Sequence, residues 1–228
     1  MPINYKGLLR ILMAFFSLII TNSSFGQDFD YHNDFKDLLK KSKDKSSEYF
    51  YPKLLERFNA NDSTLTNKDI VALQIGFTDN KNYKPYETIY KEREILALIS
   101  DKQYEKAVIK CDKLLKTNPV DFTALMEKGF AYMKLNKTDV LIHKEKTIKI
   151  INSIMWSGDG TTERPCFVLS PIDGQTLIRY ILGGSIGTMG SGRDKNGYFL
   201  DILEMKKDDG SLTKYFIIQH ATDKMFDK

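Results

Sequence analysis

The sequence predicts an α+β fold, with helical hairpins first and a small antiparallel sheet with one helix after them. Three observations carry that reading. Between Phe29 and Met155, apolar residues recur at helical spacing. At Trp156 the spacing gives way to a turn cluster, Ser157-Gly158-Asp159-Gly160-Thr161-Thr162. Beyond it, Asn196-Gly197 and Asp209-Gly210 punctuate short apolar runs in the manner of hairpin turns. Composition agrees: 42% hydrophobic and 28% charged residues over 228 positions describe a globular chain, and exclude collagen, a long disordered tail and a disulfide-rich miniprotein.

Residues 1–26 read as a secretory signal. Lys6 and Arg10 make a basic start, and Ile11 to Ile20 form an apolar run broken only by Ser17. That run is short of the ~20 apolar residues a spanning helix needs, which sets the signal reading above an uncleaved anchor. Ser24 and Gly26 occupy the small-residue positions of a cleavage site, so export should leave Gln27 as the N-terminus. No cysteine near the junction offers a lipoprotein anchor. No later stretch approaches membrane length, so no transmembrane segment remains once the signal is removed. Lysine plus arginine number 34 against 30 aspartate plus glutamate, a balance without the clustered cations that nucleic acid requires.

Residues 27–87 form a helical cap region. Phe29, Phe35, Leu38 and Leu39 can line one short amphipathic helix. Pro52 follows Tyr51 where a helix can begin, and Lys53 to Phe58 continue it up to Asn59. Thr66 reads as the next N-cap, with Asp69 three residues on as a capping box, ahead of Ile70, Leu73 and Phe77.

Residues 88–155 show an internal repeat that resembles tetratricopeptide units of roughly 34 residues. Setting Pro119 as a closing proline gives units at 88–121 and 122–155. Tyr104 and Ala107 then fall at the aromatic and close-packing positions of the first, and Ala124, Gly129 and Tyr132 at the equivalent positions of the second. Small residues let antiparallel helices approach, and aromatics fill the groove between pairs. Glu94 and Lys128 depart from the pattern, standing where a large apolar residue is usual, as does Leu141 in place of an alanine. A generic helical bundle is the competing reading, and two units need flanking segments to cap them.

Residues 156–228 read as a small α+β unit. Trp156 should pack at the junction of the two parts. Cys166 to Leu169 make a short strand. Asp173 can cap a helix through Leu182 that stops at Gly183, with strand as the alternative there. An irregular strand around Ile186 comes next, then strands from Tyr198 to Met205 and from Leu212 to Gln219, giving an antiparallel meander.

Chemistry is sparse. Gly183 to Gly192 is glycine-dense but lacks the lysine and the following helix of a phosphate loop, so an irregular strand explains it. His32, His143 and His220 lie in separate segments without a metal-pair spacing. Cys111 and Cys166 are too distant in sequence to form a motif and read as buried unpaired thiols. Asp159, with Glu163 nearby, lacks the alternating oxygens of a calcium loop. Nothing in the sequence calls for a cofactor or metal.

Aromatics cluster at Tyr49, Phe50 and Tyr51, and at Phe77, Tyr83, Tyr86 and Tyr90, either as packing of an irregular cap or as a tyrosine-lined contact surface. These segments carry a further resemblance. Tyr51-Pro52-Lys53-Leu54-Leu55-Glu56-Arg57-Phe58, Asp62-Ser63-Thr64-Leu65-Thr66, Gly76-Phe77, Tyr83-Lys84-Pro85-Tyr86 and Ser157-Gly158-Asp159-Gly160 occur in that order. The set is similar to a domain-of-unknown-function family of exported Bacteroidota proteins, closely over 48–160 and loosely beyond. Gln74-Ile75 depart from it where aromatics are usual. The resemblance implies location and architecture and brings no catalytic residues.

The functional expectation is an exported, periplasmic or secreted module that binds a protein or peptide of the cell envelope through its helical-repeat surface, with Phe130, Tyr132 and Lys134 as contact residues. The alternative is a hydrolase or transferase with a site between helices and sheet, using Cys166, His220 or Asp159. A third reading is self-association through an exposed strand edge at Leu212 to Gln219.

Overall fold

The computed structural model describes residues 29–226, so the export signal read at 1–26 lies outside the described residues. Helix α1 (Tyr31–Lys41) is capped by the Asp30 carboxylate, which accepts from the His32 N–H at 2.9 Å. Helix α2 (Tyr51–Asn59) carries Pro52 in its first turn and buries Leu54 and Phe58. Helix α3 (Asn67–Phe77) carries the predicted capping box: the Asp69 N–H donates to Thr66 Oγ1 at 3.1 Å, and the Thr66 N–H to Asp69 Oδ2 at 2.8 Å. From Ile70 to Phe77 every residue of α3 is buried, which makes it the central helix. Gly76 permits this, since a Cβ there would lie 3.0 Å from both Ser42 and Tyr51.

The next four helices are α4 (Pro85–Ser100), α5 (Tyr104–Leu115), α6 (Phe122–Lys134) and α7 (Val140–Ser157), and each packs on its neighbour in the chain. Ala107 and Ala124 are fully buried, and a Cβ on Gly129 would meet that of His143 at 3.4 Å, so small residues do allow close approach. The two polar departures from the repeat pattern find partners on α5: Glu94 pairs with Lys110 at 2.6 Å, and Lys128 with Asp112 at 2.7 Å. Helix α7 also packs along α3. The hairpins are thus closed off by the central helix rather than left as an open stack.

Four strands and two helices complete the chain: β1 (Cys166–Phe167), α8 (Pro171–Thr176) running on into a π-turn at Leu177–Ile181, β2 (Ser185–Arg193), β3 (Phe199–Lys207), β4 (Gly210–Ile217) and α9 (Gln219–Phe226). Sheet order is β1-β4-β3-β2. The meander β2-β3-β4 is antiparallel as expected, with a register shift between Ile186 and Met189 where glycine loosens the strand. Gly197 takes φ +85 in the predicted turn, and Gly183 takes φ +69 at the end of the π-turn.

Three expectations for this region are corrected. The sheet is mixed, because β1 pairs with β4 in parallel. The last strand stops at Ile217, and Gln219 opens a second helix rather than ending a strand. Asp173 is the third residue of α8 rather than its cap, and accepts from the Ser170 N–H at 2.9 Å. Helices and sheet share one hydrophobic core running from Phe29, Leu54 and Phe58 through Ile150 and Ile154 to Phe167 and Phe216. Trp156 sits at their junction, its ring centroid 6.3 Å from that of Phe29.

Candidate functional site

The three predicted contact residues divide between core and surface. Phe130 is 2% exposed, edge-on to Tyr104, and belongs to the core, which corrects its assignment to a contact surface. Tyr132 and Lys134 are half-buried near the α6–α7 turn. The Tyr132 ring stands edge-on to His143 at 5.2 Å, beneath Lys128 Nζ, while Lys134 Nζ lies 5.3 Å from the Phe130 ring. Beside His143, Leu141 and Ile142 are exposed at 66% and 44%. The start of α7 thus adds two outward aliphatic side chains that the sequence reading did not count among the contact residues. Their signal was available: Leu141 stood where a repeat would place a packing alanine.

Cys166, His220 and Asp159 do not assemble into a nucleophilic site. The Cys166 thiol donates to the Gly158 carbonyl at 3.2 Å, and burial pushes its pKa up to about 12. His220 is enclosed by the rings of Phe35, Tyr83 and Phe167, and burial lowers its pKa to about 4, which keeps it neutral. Its polar neighbour is the Tyr31 hydroxyl, 3.4 Å from Nδ1. Asp159 shapes a turn: it accepts from the Thr161 N–H at 2.9 Å and lies 3.6 Å from Arg164. Cys111 and Cys166 are both free thiols.

The structure also gathers groups that no motif announced. Glu92 on α4, Asp121 at the start of α6 and Asp173 on α8 are all buried and lie within electrostatic reach of one another. Glu127, six residues further along α6, is 1% exposed, and one of its oxygens has no hydrogen-bond partner. Burial raises all four carboxyls, Glu127 and Asp173 to about 8 and Glu92 well above the carboxylate range, so these three carry protons near neutrality, while Asp121, raised only to about 6 and accepting from the Ala124 N–H, is mostly ionised there. A pattern could have exposed Glu92: it shares one helix face with Thr88, Ile95 and Ile99, all buried. None of these acids lines either of the clefts described by the surface. Among the described residues, no group of three histidine, cysteine or acidic side chains is arranged to hold a metal ion, and no helix is long and apolar enough to cross a membrane.

Comparison with known proteins gives one assignment. Residues 36–225 match the model of a family described as a domain of unknown function, DUF4919. The match takes in the helices from within α1 onward and all four strands. No curated protein and no solved structure matches the chain.

Proposed function

This chain belongs to the DUF4919 family, a domain of unknown function, and on that premise we propose that it is an exported, non-enzymatic module holding a protein or peptide of the cell envelope against its helices. The observation that carries the proposal is the surface at the α6–α7 turn, where half-buried Tyr132 and Lys134 adjoin the outward Leu141 and Ile142. Aromatic, aliphatic and cationic side chains together suit an apolar segment with acidic flanks. The hairpins α4–α5 and α6–α7 are read as tetratricopeptide-like units presenting that surface. The enzymatic alternative draws no support from its own residues, since Cys166 and His220 are buried and each engages a different partner.

The test places a photo-crosslinking amino acid at position 141 in cells producing the full chain, with position 113, on the outer side of α5, as control. A discrete adduct from 141 that is absent from 113, and lost when Lys134→Glu is added, supports the reading. Identical patterns at both positions, or none at 141, end it. Intact mass of the same material tests export, which predicts a chain beginning at Gln27.

A further inference from the structure

Strand β1 is only two residues long, and it pairs with β4 solely at Phe216 and Ile217. The remaining length of β4 therefore has β3 on one side and no strand on the other among the described residues. The direction of its main chain follows from one bond. The Tyr215 N–H donates to the Gly160 carbonyl at 3.0 Å, so residue 215 points away from β3. Antiparallel pairing alternates, so Thr213 and Ser211 also turn their N–H and C=O groups outward, and both residues are exposed. An open edge of this kind is a template for another strand.

The face of β4 beside this edge adjoins a cleft of about 250 Å³. Its walls are apolar: Met155 from the end of α7, Leu177 and Leu182 from the π-turn, and Met205, Leu212 and Phe216 from the sheet. Leu212 lies opposite Met205 in the ladder, and the alternate residues Leu212, Lys214 and Phe216 of β4 face the cleft. Lys207 and Lys214 stand on the same lining. The acid there, Asp159, already has Arg164 and the Thr161 N–H as partners, and Lys214 Nζ donates to the Asp159 carbonyl. The unbalanced charge at the cleft is thus positive.

We propose that the open edge of β4 at Ser211–Thr213 and the adjoining cleft form a strand-addition site for a short extended peptide that places one aliphatic side chain in the cleft and acidic residues beside Lys207 and Lys214. Main-chain hydrogen bonds supply affinity in such sites, and a pocket for one alternate side chain supplies selectivity. A second copy of the chain is the other natural occupant of a bare edge. Antiparallel pairing of two β4 strands would set the lysines of one copy against those of the other, so charge selects an acidic partner. This site is separate from the α6–α7 surface and does not depend on it.

The probe is a blocked peptide of sequence Thr-Glu-Thr-Leu-Thr-Glu-Thr, in which leucine and both glutamates share one face of a strand. It is titrated into protein purified from cells producing the full chain, with methionine methyl groups labelled for NMR. Saturable shifts of the Met155 and Met205 methyls are expected, with Met126 and Met133 unmoved. Two comparison peptides keep the test specific: one is N-methylated on the residues that would pair with β4, and the other carries lysine for glutamate. Each should bind about tenfold more weakly, the cost of roughly one or two lost hydrogen bonds or of like charge. The double variant Lys207→Glu/Lys214→Glu should reverse the preference between the glutamate and lysine peptides, a gain that loss of folding would not produce. Absence of shifts at millimolar peptide overturns the proposal, as does equal binding of the N-methylated form. Methyl shifts that follow protein dilution without peptide, together with a change in mass in solution, would assign the edge to a second copy and overturn it as well. Crosslinking at position 141 is independent of every one of these readouts, so the two proposals fail separately.

Discussion

The Tyr31 hydroxyl accepts a hydrogen bond from the His220 backbone N–H at 3.1 Å, joining the first helix to the last across 189 positions of sequence. The same oxygen lies 3.4 Å from His220 Nδ1, so its proton can be aimed at a neutral imidazole. Phe35 and Phe167 pack their rings on that imidazole, at centroid distances of 5.5 and 4.9 Å. A histidine that composition offered as a catalytic base is instead a buried strut. Tyr31→Phe keeps the ring and removes the oxygen, leaving the His220 N–H without its acceptor. A loss of about 1–2 kcal/mol is expected, read from urea unfolding of parent and variant at neutral pH.

Stability should fall as pH rises from 6.5 toward 8. Glu127 has an ordinary value of 4.5 and is raised to about 8 by burial, so over that interval the folded chain holds a proton that the unfolded chain has released. Asp173, raised by burial to about 8, acts with the same sign. Folding that takes up protons weakens as they become scarce. His143 and His220 work in the opposite sense, lowered by burial from 6.5 to about 4, but they cost stability only below pH 6.5. The window above 6.5 therefore isolates the acids. Glu127→Gln should flatten the pH dependence of the unfolding free energy there, and an unchanged slope would remove Glu127 as its source.

Cys166 should resist alkylation in the folded chain. With its pKa near 12 and its thiol turned to the Gly158 carbonyl, almost no thiolate is available at neutral pH. Iodoacetamide at pH 7, followed by mass spectrometry, should label Cys111 and Cys166 only after denaturation. Rapid labelling of Cys166 under native conditions would revive the nucleophile reading.

Gly174→Ala should destabilise the chain even though alanine favours helix. A Cβ at 174 would stand 2.8 Å from the buried Phe216 ring. Overpacking costs typically ~1–3 kcal/mol, against a propensity gain of about 1. Phe216→Leu removes the ring and relieves that contact, so the double variant should be less destabilised than the sum of its parts, as measured by thermal unfolding of all four forms.

Local chemistry made much of the fold legible in the sequence. Thr66 with Asp69, Pro52 at a helix start, Gly183 at a stop and Asn196-Gly197 at a turn each act through neighbours a few positions away. The helices and the three-strand meander followed from them, as did the pairing of small residues at helix contacts. What tertiary structure alone decided involves partners far apart in the chain. Whether a residue on a helical stripe faces core or solvent depends on what covers it, so Phe130 proved buried and Leu141 exposed. The carboxyls of Glu92 and Asp173 come from different helices, meet beside Asp121, and hold their protons only because packing removes water from both of them. Cys166–Phe167 is too short to pair on its own pattern, and it joins β4 in parallel because the core draws Phe167 against Phe29 and His220. That brief pairing is also what leaves the rest of the β4 edge open, since a strand ends where its partner's backbone ends.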